Sequence, residues 1–270
     1  MEEAKTRIVV RKGSSHAHRC EDEAFSFTYG NITVIAAFDG CSTPKGNLPE
    51  NFLMGSKSYF ASGLFATLFK KIAIHHADYF NSADDVVAIG KFLLRTFYAE
   101  LKSAISYLEL DLAETLSTIV FAVVNTEDKE AYSVMVGDGT TYVDGEIFTE
   151  KPVNNAPMYI SFFLDKGFDK FWEENVFENY HKVERTISVM SDGIDSFRNL
   201  TENRFATDKE NEEIVDFLLK DEKLFLNPIG MARKCNILET GRFVSGDDLS
   251  VKLVPSDDLS IARIVFYCNL

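Results

Sequence analysis

Four apolar, strand-like runs in this chain stop or start at aspartate: ITVIAAF-Asp39-Gly40, YSVMVG-Asp138-Gly139, ISVMS-Asp192-Gly193 and SG-Asp247-Asp248-LSVKLV. The apolar residues run almost unbroken up to each acid, as in strands buried on both faces; a strand with one wet face alternates instead. Such strands demand a layered fold in which carboxylates emerge where the core ends. Asp-Gly after a strand is also a favoured turn, because both residues tolerate positive φ. Asp144-Gly145, between TTYV and EIFT, reads as that kind of hairpin and takes no chemistry. The set of four, together with Glu21-Asp22 ahead of its own strand-like run, reads as converging carboxylates. Magnesium and manganese need such convergence, since they take oxygen ligands in near-octahedral geometry and no single segment supplies enough of them.

The balance of 42 acidic against 28 basic side chains, a formal net charge of −14, argues against a nucleic-acid partner, which clustered lysine and arginine would bind. It suits a cation. The four cysteines, Cys20, Cys41, Cys235 and Cys268, have no Cys-x-x-Cys spacing, so neither a zinc ribbon nor a dithiol redox site is indicated and a reducing compartment is expected. MEEAKTR carries acids where a signal peptide is basic, and no apolar stretch approaches the ~20 residues of a membrane span. The expectation is a cytoplasmic protein with no membrane partner.

Periodicity places strands at TRIVVR and along EAFSFTYGNITVIAAFDG, turning at Tyr29-Gly30-Asn31. Two long helices follow. One covers roughly 52–80; the other starts after Ser82 as N-cap, with Asp84 and Asp85 in its first turn and a stripe of Val86, Ile89, Phe92, Leu93, Phe97 and Leu101 facing a core. TLSTIVFAVVN, EAYSVMVGDG and TTYVDGEIFT read as an antiparallel meander. Strands are expected again at PMYISFFLD and within FDKFWEENVFENYHKVERTISVMSDG, with Phe168, Phe171, Trp172 and Phe177 in a core, then helices near 210–220 and 230–238 and final strands DLSVKLV and SIARIVFYC. No repeat, low-complexity tract or proline-rich linker interrupts the chain, so residues 1–270 are expected to form one domain. Runs of strands around paired helices describe an α+β fold of layered antiparallel sheets with helices outside.

The order of these elements, with acids at these places, resembles the metal-dependent PPM protein phosphatases, the type 2C serine/threonine phosphatases, over nearly the whole chain. Glu21-Asp22 stands for the family's Glu-Asp pair, FDG at 38–40 for its first Asp-Gly, VGDG at 136–139 for its Gly-Asp segment, SDG at 191–193 and DDLSV at 247–251 for its later aspartates. GSSHAHRCEDEAF is similar to an atypical bacterial branch with a Ser-His pair before a Cys-x-Asp run. The resemblance implies a four-layer α-β-β-α sandwich with a metal cleft between the two sheets. It also implies that two Mn²⁺ or Mg²⁺ ions are held by Asp39, which bridges them, with Asp192 and Asp247 at one ion and Glu21 and the Gly40 carbonyl at the other. Asp22 orients a metal-bound water and Asp138 helps to hold a third ion. Hydrolysis of phosphoserine and phosphothreonine by a metal-bridging water follows, with a phosphorylated protein as partner, a cognate kinase or its target in a bacterial signalling circuit.

Two family features are absent. Ala17 stands where the family has a phosphate-binding arginine, leaving Arg19 as the substitute, and Cys41-Ser42-Thr43 stands where a His-Gly-Gly is usual, leaving His16 or His18 as a general acid. These departures favour the rival reading, a catalytically silent regulatory relative. The full set of acids favours the enzyme. Gly55-Ser56-Lys57-Ser58 lacks the glycine spacing of a P-loop, and no His-Glu-x-x-His, Gly-x-Ser-x-Gly or dinucleotide fingerprint is present.

Overall fold

The structure is a computed structural model that describes residues 2–16, 19–41, 57–83, 85–149, 158–220, 227, 229–244 and 250–268. Strands β2 (Asp22–Tyr29), β3 (Ile32–Gly40), β4 (Ser117–Asn125), β5 (Glu130–Val136) and β8 (Phe177–Lys182) form one antiparallel sheet in the order β2-β3-β4-β5-β8. A second sheet, also antiparallel, has the order β1-β15-β9-β6-β7. Its strands are β1 (Glu2–Arg11), β6 (Thr140–Val143), β7 (Glu146–Thr149), β9 (Thr186–Met190) and β15 (Leu259–Cys268). Smaller pairings join β10 (Phe197–Asn199) to β11 (Arg204–Phe205) and β14 (Leu253–Pro255), and β12 (Phe243–Val244) to β13 (Ser250–Val251).

Strand alternation divides the buried residues into three cores. Along β3, Val34, Ala36 and Phe38 join the core beneath the helices, while Ile35 and Ala37 face the other sheet. In β4, Ile119, Phe121 and Val123 join the helix-side core, and Val120, Ala122 and Val124 meet Ala262, Ile264 and Phe266 of β15 between the sheets. This is why the sequence runs are unbroken. Helices α1 (Lys57–His75), α2 (Ala77–Phe80), α3 (Val86–Leu108) and α4 (Phe168–Asn175) lie on the first sheet's side, where the Phe69 ring stands 5.0 Å from Phe121 and 5.9 Å from Phe97. Truncating such a ring costs about 3–5 kcal/mol. Helices α5 (Asp208–Leu219) and α6 (Gly230–Glu239) cover the second sheet through Ile214, Leu218 and Leu238 against Ile261 and Val265. The result is the expected α-β-β-α sandwich.

Three local expectations are corrected. Asp85, rather than Ser82, caps α3: its backbone is extended and its carboxylate accepts from the Ala88 N–H at 2.7 Å. The first long helix ends at His75, and the chain makes a separate turn at 77–80. PMYISFFLD is no strand. Residues 160–163 form a 3₁₀ turn with Met158 and Phe162 exposed and Tyr159, Ile160 and Phe163 buried, a spacing that a short apolar run does not reveal in advance. Phe171 is fully buried, with Phe168 and Trp172 packed on the same core.

Candidate metal centre

Asp39 continues the face of β3 that carries Ile35 and Ala37, so its side chain leaves the inter-sheet space where the apolar cover ends. Asp22 is its register partner across the β2–β3 ladder. Asp138 arrives on the crossover from β5 to β6, where Gly137 adopts φ 110° and a Cβ would lie 2.5 Å from Thr118 Cγ2. Asp192 follows β9 in a 3₁₀ turn, at residues 192–195. The neighbouring Gly193 passes so close to the Asp258 carbonyl that a Cβ there would sit 1.8 Å from its oxygen. Asp39, Asp138 and Asp192 each place a carboxylate oxygen within 4.8 Å of the other two.

No cation figures among the main influences on these acids. Burial raises Asp39 well above the usual carboxylate range, and the charges of Asp22 and Asp192 raise it further. Asp192 is pushed up to about 8 by burial and then by Asp138, Asp257 and Asp22. Asp138 is raised by burial and by Asp257. Asp22, 2% exposed, is raised by burial, and its two carboxylate oxygens lack a hydrogen-bond partner of good geometry, although Ser191, Asp39 and Ser260 stand around it. Asp138 Oδ1 is buried and unpartnered as well. Half-buried carboxylates that repel one another and leave acceptors unused are the donor set a hard dication requires.

Glu21 is buried but stands outside the three-acid cluster. Its carbonyl accepts from the Gly40 N–H at 3.2 Å, and its carboxylate acts on His16. Gly40 is sterically obligatory, since a Cβ there would lie 2.1 Å from the Ser58 carbonyl oxygen. Arg19 is exposed, with its guanidinium 5.2 Å from the Tyr59 ring centroid. His18 and Asp247 lie outside the described residues. His16 is half-buried, its Nδ1 2.7 Å from Asp258 Oδ2 and its Nε2 3.4 Å from Asp257 Oδ1. Burial pulls its pKa down, but the hydrogen bond and the charges of Asp258, Asp257 and Glu21 more than offset this.

Asp257 and Asp258 are functional candidates that the sequence reading missed. The charge of Asp257 reaches Asp39, Asp138 and Asp192. Asp258, 1% exposed, accepts from the backbone N–H groups of Gly13 and Glu21 as well as from His16, tying the N-terminal loop to the start of β15. The signal was present, because DDLS occurs twice, at 247–250 and 257–260. Only the second occurrence leads into a ten-residue strand.

No family model matches the chain, and no curated protein matches it. Solved structures do. The catalytic domain of the serine/threonine protein phosphatase PstP, in complex with two manganese ions, superposes at TM-score 0.56 with 12% identity, covering 99% of this chain and 100% of that one. RsbX in complex with magnesium superposes at 0.53 with 13% identity, covering 99% and 100%. The PP2C phosphatase domain and regulatory fragment of SpoIIE from Bacillus subtilis gives 0.56 and 16%, covering 100% of this chain and 65% of that one. The chain therefore has the fold of the PPM, or type 2C, phosphatases.

Proposed function

We propose that this protein is a Mn²⁺- or Mg²⁺-dependent phosphatase acting on phosphoserine and phosphothreonine in proteins. The observation that carries the reading is the cluster of Asp39, Asp138 and Asp192, whose carboxylate oxygens lie within 4.8 Å of one another, with Asp22 and Asp257 beside it. Support also comes from the fold it shares with a manganese-bearing serine/threonine phosphatase domain and a magnesium-bearing RsbX. Two bound dications lower the pKa of water and neutralise phosphoryl charge, which removes the need for a covalent enzyme intermediate.

In this reading Asp39, Asp138 and Asp192, with Asp257, Glu21 and the Gly40 carbonyl, would hold the ions and Asp22 would orient a water; Asp247, the ligand expected from the sequence, lies outside the described residues. Arg19, two residues before Glu21, meets the incoming phosphate. Residues 1–270 act as a single domain whose partner is a phosphorylated protein, a serine/threonine kinase or its target, in the cytoplasm of a bacterium. Among the described residues no helix is long and apolar enough to cross a membrane.

The test is hydrolysis of p-nitrophenyl phosphate and of a phosphothreonine peptide with Mn²⁺, Mg²⁺ or EDTA, beside Asp39→Asn and Asp192→Asn. Metal-dependent turnover lost in both variants is expected. Measurable Mn²⁺ binding without turnover would overturn the enzyme and leave a regulatory module, the reading that Ala17 and Cys41 favour.

A further inference from the structure

A group that hands a proton to a departing alkoxide must present an N–H or O–H to the substrate. His16, the candidate for that part, turns both ring nitrogens toward carboxylates of its own chain: Nδ1 lies 2.7 Å from Asp258 Oδ2, and Nε2 lies 3.4 Å from Asp257 Oδ1. The Asp258 side chain is fully buried and that of His16 is 19% exposed. An ionised carboxylate only accepts, so the imidazole carries a proton on Nδ1 and donates it to Asp258 as a hydrogen bond.

The ring sits where three segments of the centre are tied together. Residues 13–16 turn tightly against 255–258. The Ser14 N–H donates to the Pro255 carbonyl at 2.9 Å, the Ser15 N–H donates to the Ser256 carbonyl at 3.0 Å, and a Cβ on Gly13 would lie 2.3 Å from the Asp257 carbonyl carbon. Asp258 also accepts from the Glu21 N–H, and the Glu21 carbonyl accepts from the Gly40 N–H at 3.2 Å, one residue beyond Asp39. On the other side, the Asp257 N–H donates to Ser196 Oγ at 2.9 Å, and that hydroxyl donates to the Gly193 carbonyl at 2.9 Å, next to Asp192. Asp257 Oδ1, the oxygen that faces His16, accepts from the Asp258 N–H at 2.8 Å.

We infer that His16 is a positioning residue of the metal centre and not its proton donor: clamped by Asp258, it fixes the Asp257 carboxylate and the chain entering β2 at Glu21, and so sets the geometry that the carboxylates offer to the ions. This rests on the metal-dependent reading above and names a group that shapes the site without touching substrate. Partners that orient a metal ligand in this way change metal affinity by about tenfold to a hundredfold.

The experiment compares wild type with His16→Ala, His16→Asn and His16→Gln. The Asn amide nitrogen stands in for Nδ1 and the Gln amide nitrogen for Nε2. Mn²⁺ Kd is read by calorimetry, and kcat/KM is read on p-nitrophenyl phosphate, whose leaving group needs no proton, and on a phosphothreonine peptide, whose alkoxide does. His16→Ala is expected to weaken Mn²⁺ binding about tenfold to a hundredfold and, below saturating Mn²⁺, to lower kcat/KM on both substrates by a common factor. His16→Asn should restore most of the Mn²⁺ affinity and His16→Gln should not, a contrast that carries the test if the Ala variant fails to fold. An unchanged Mn²⁺ Kd in His16→Ala, or equal Kd values for the Asn and Gln variants, would overturn the inference. So would a loss of about a hundredfold or more confined to the peptide, which marks a general acid. Each of these leaves the phosphatase reading standing, whereas a wild-type protein that binds no Mn²⁺ would remove both.

Discussion

Asp144-Gly145 and Asp39-Gly40 are the same dipeptide at the end of a strand, and they sit in opposite electrostatic worlds. Asp144 is exposed in a hairpin turn at φ 50°, and its carboxylate accepts from three successive backbone N–H groups, those of Glu184 at 2.6 Å, Arg185 at 2.8 Å and Thr186 at 2.7 Å. Asp39 faces Asp22 and Asp192, and both raise its pKa. One acid fastens β6 to the loop before β9. The other is held where the polypeptide offers it little compensation. A carboxylate whose partners are all present stabilises the fold, whereas one whose partners are missing reserves its lone pairs for something that binds.

The largest effect should separate the pair at the level of chemistry. Asp39→Asn is expected to lower metal-dependent turnover by about a thousandfold or more. Asp144→Asn should leave turnover per folded molecule unchanged, and Asp144→Ala should cost only about 1 kcal/mol in urea denaturation, a value discounted for its exposure to water. Equal losses in the two aspartates would break the comparison.

The glycines sharpen it next. A Cβ at position 40 meets backbone 2.1 Å away, while at position 145 nothing lies within 4 Å and only the φ of 110° resists substitution. Gly40→Ala should weaken Mn²⁺ binding by about tenfold to a hundredfold, as displaced support does at metal sites. Gly145→Ala should cost about 1 kcal/mol of stability and nothing in Mn²⁺ affinity.

Stability against pH is a third test. Asp192 is raised to about 8 by burial and neighbouring carboxylates, from an unfolded value near 3.9. The folded state therefore binds the proton more tightly. Its contribution is present in full below about pH 4 and is lost as pH rises to about 8. In EDTA, Tm should fall from about pH 5.5 to about pH 8.5, and Mn²⁺ should reverse the fall. A metal-free Tm that rises across that window would contradict the uncompensated cluster. The smallest effect is expected at Arg19: Arg19→Ala should raise KM for a phosphothreonine peptide about threefold to tenfold with kcat little changed, the loss of an exposed charge contact.

The unbroken runs before Asp39, Asp138 and Asp192 made the sandwich and three of its rim acids legible, because strands buried on both faces leave little room for polar residues. What escaped depended on length and distance. The two DDLS segments look alike locally, at 247–250 and 257–260; Asp247 lies outside the described residues, while the charge of Asp257 reaches the cluster and its segment leads into the ten-residue β15. The run PMYISFFLD carries no mark of the 3₁₀ turn it forms at 160–163.

The bonds from Asp258 to Gly13, His16 and Glu21 have a consequence for when the centre comes into being. The first sheet is built from residues 22–182, so Asp22, Asp39 and Asp138 are delivered while the ribosome is still reading the remainder. Among the described residues β15, which separates β1 from β9, is the last strand in chain order. Until it inserts, β1 lacks its partner and the loop before Glu21 lacks its anchor. On the metal-dependent reading, loading would follow the closing event of folding, and a chain that stalls before residue 257 would hold Asp22, Asp39 and Asp138 without Asp257 and Asp258.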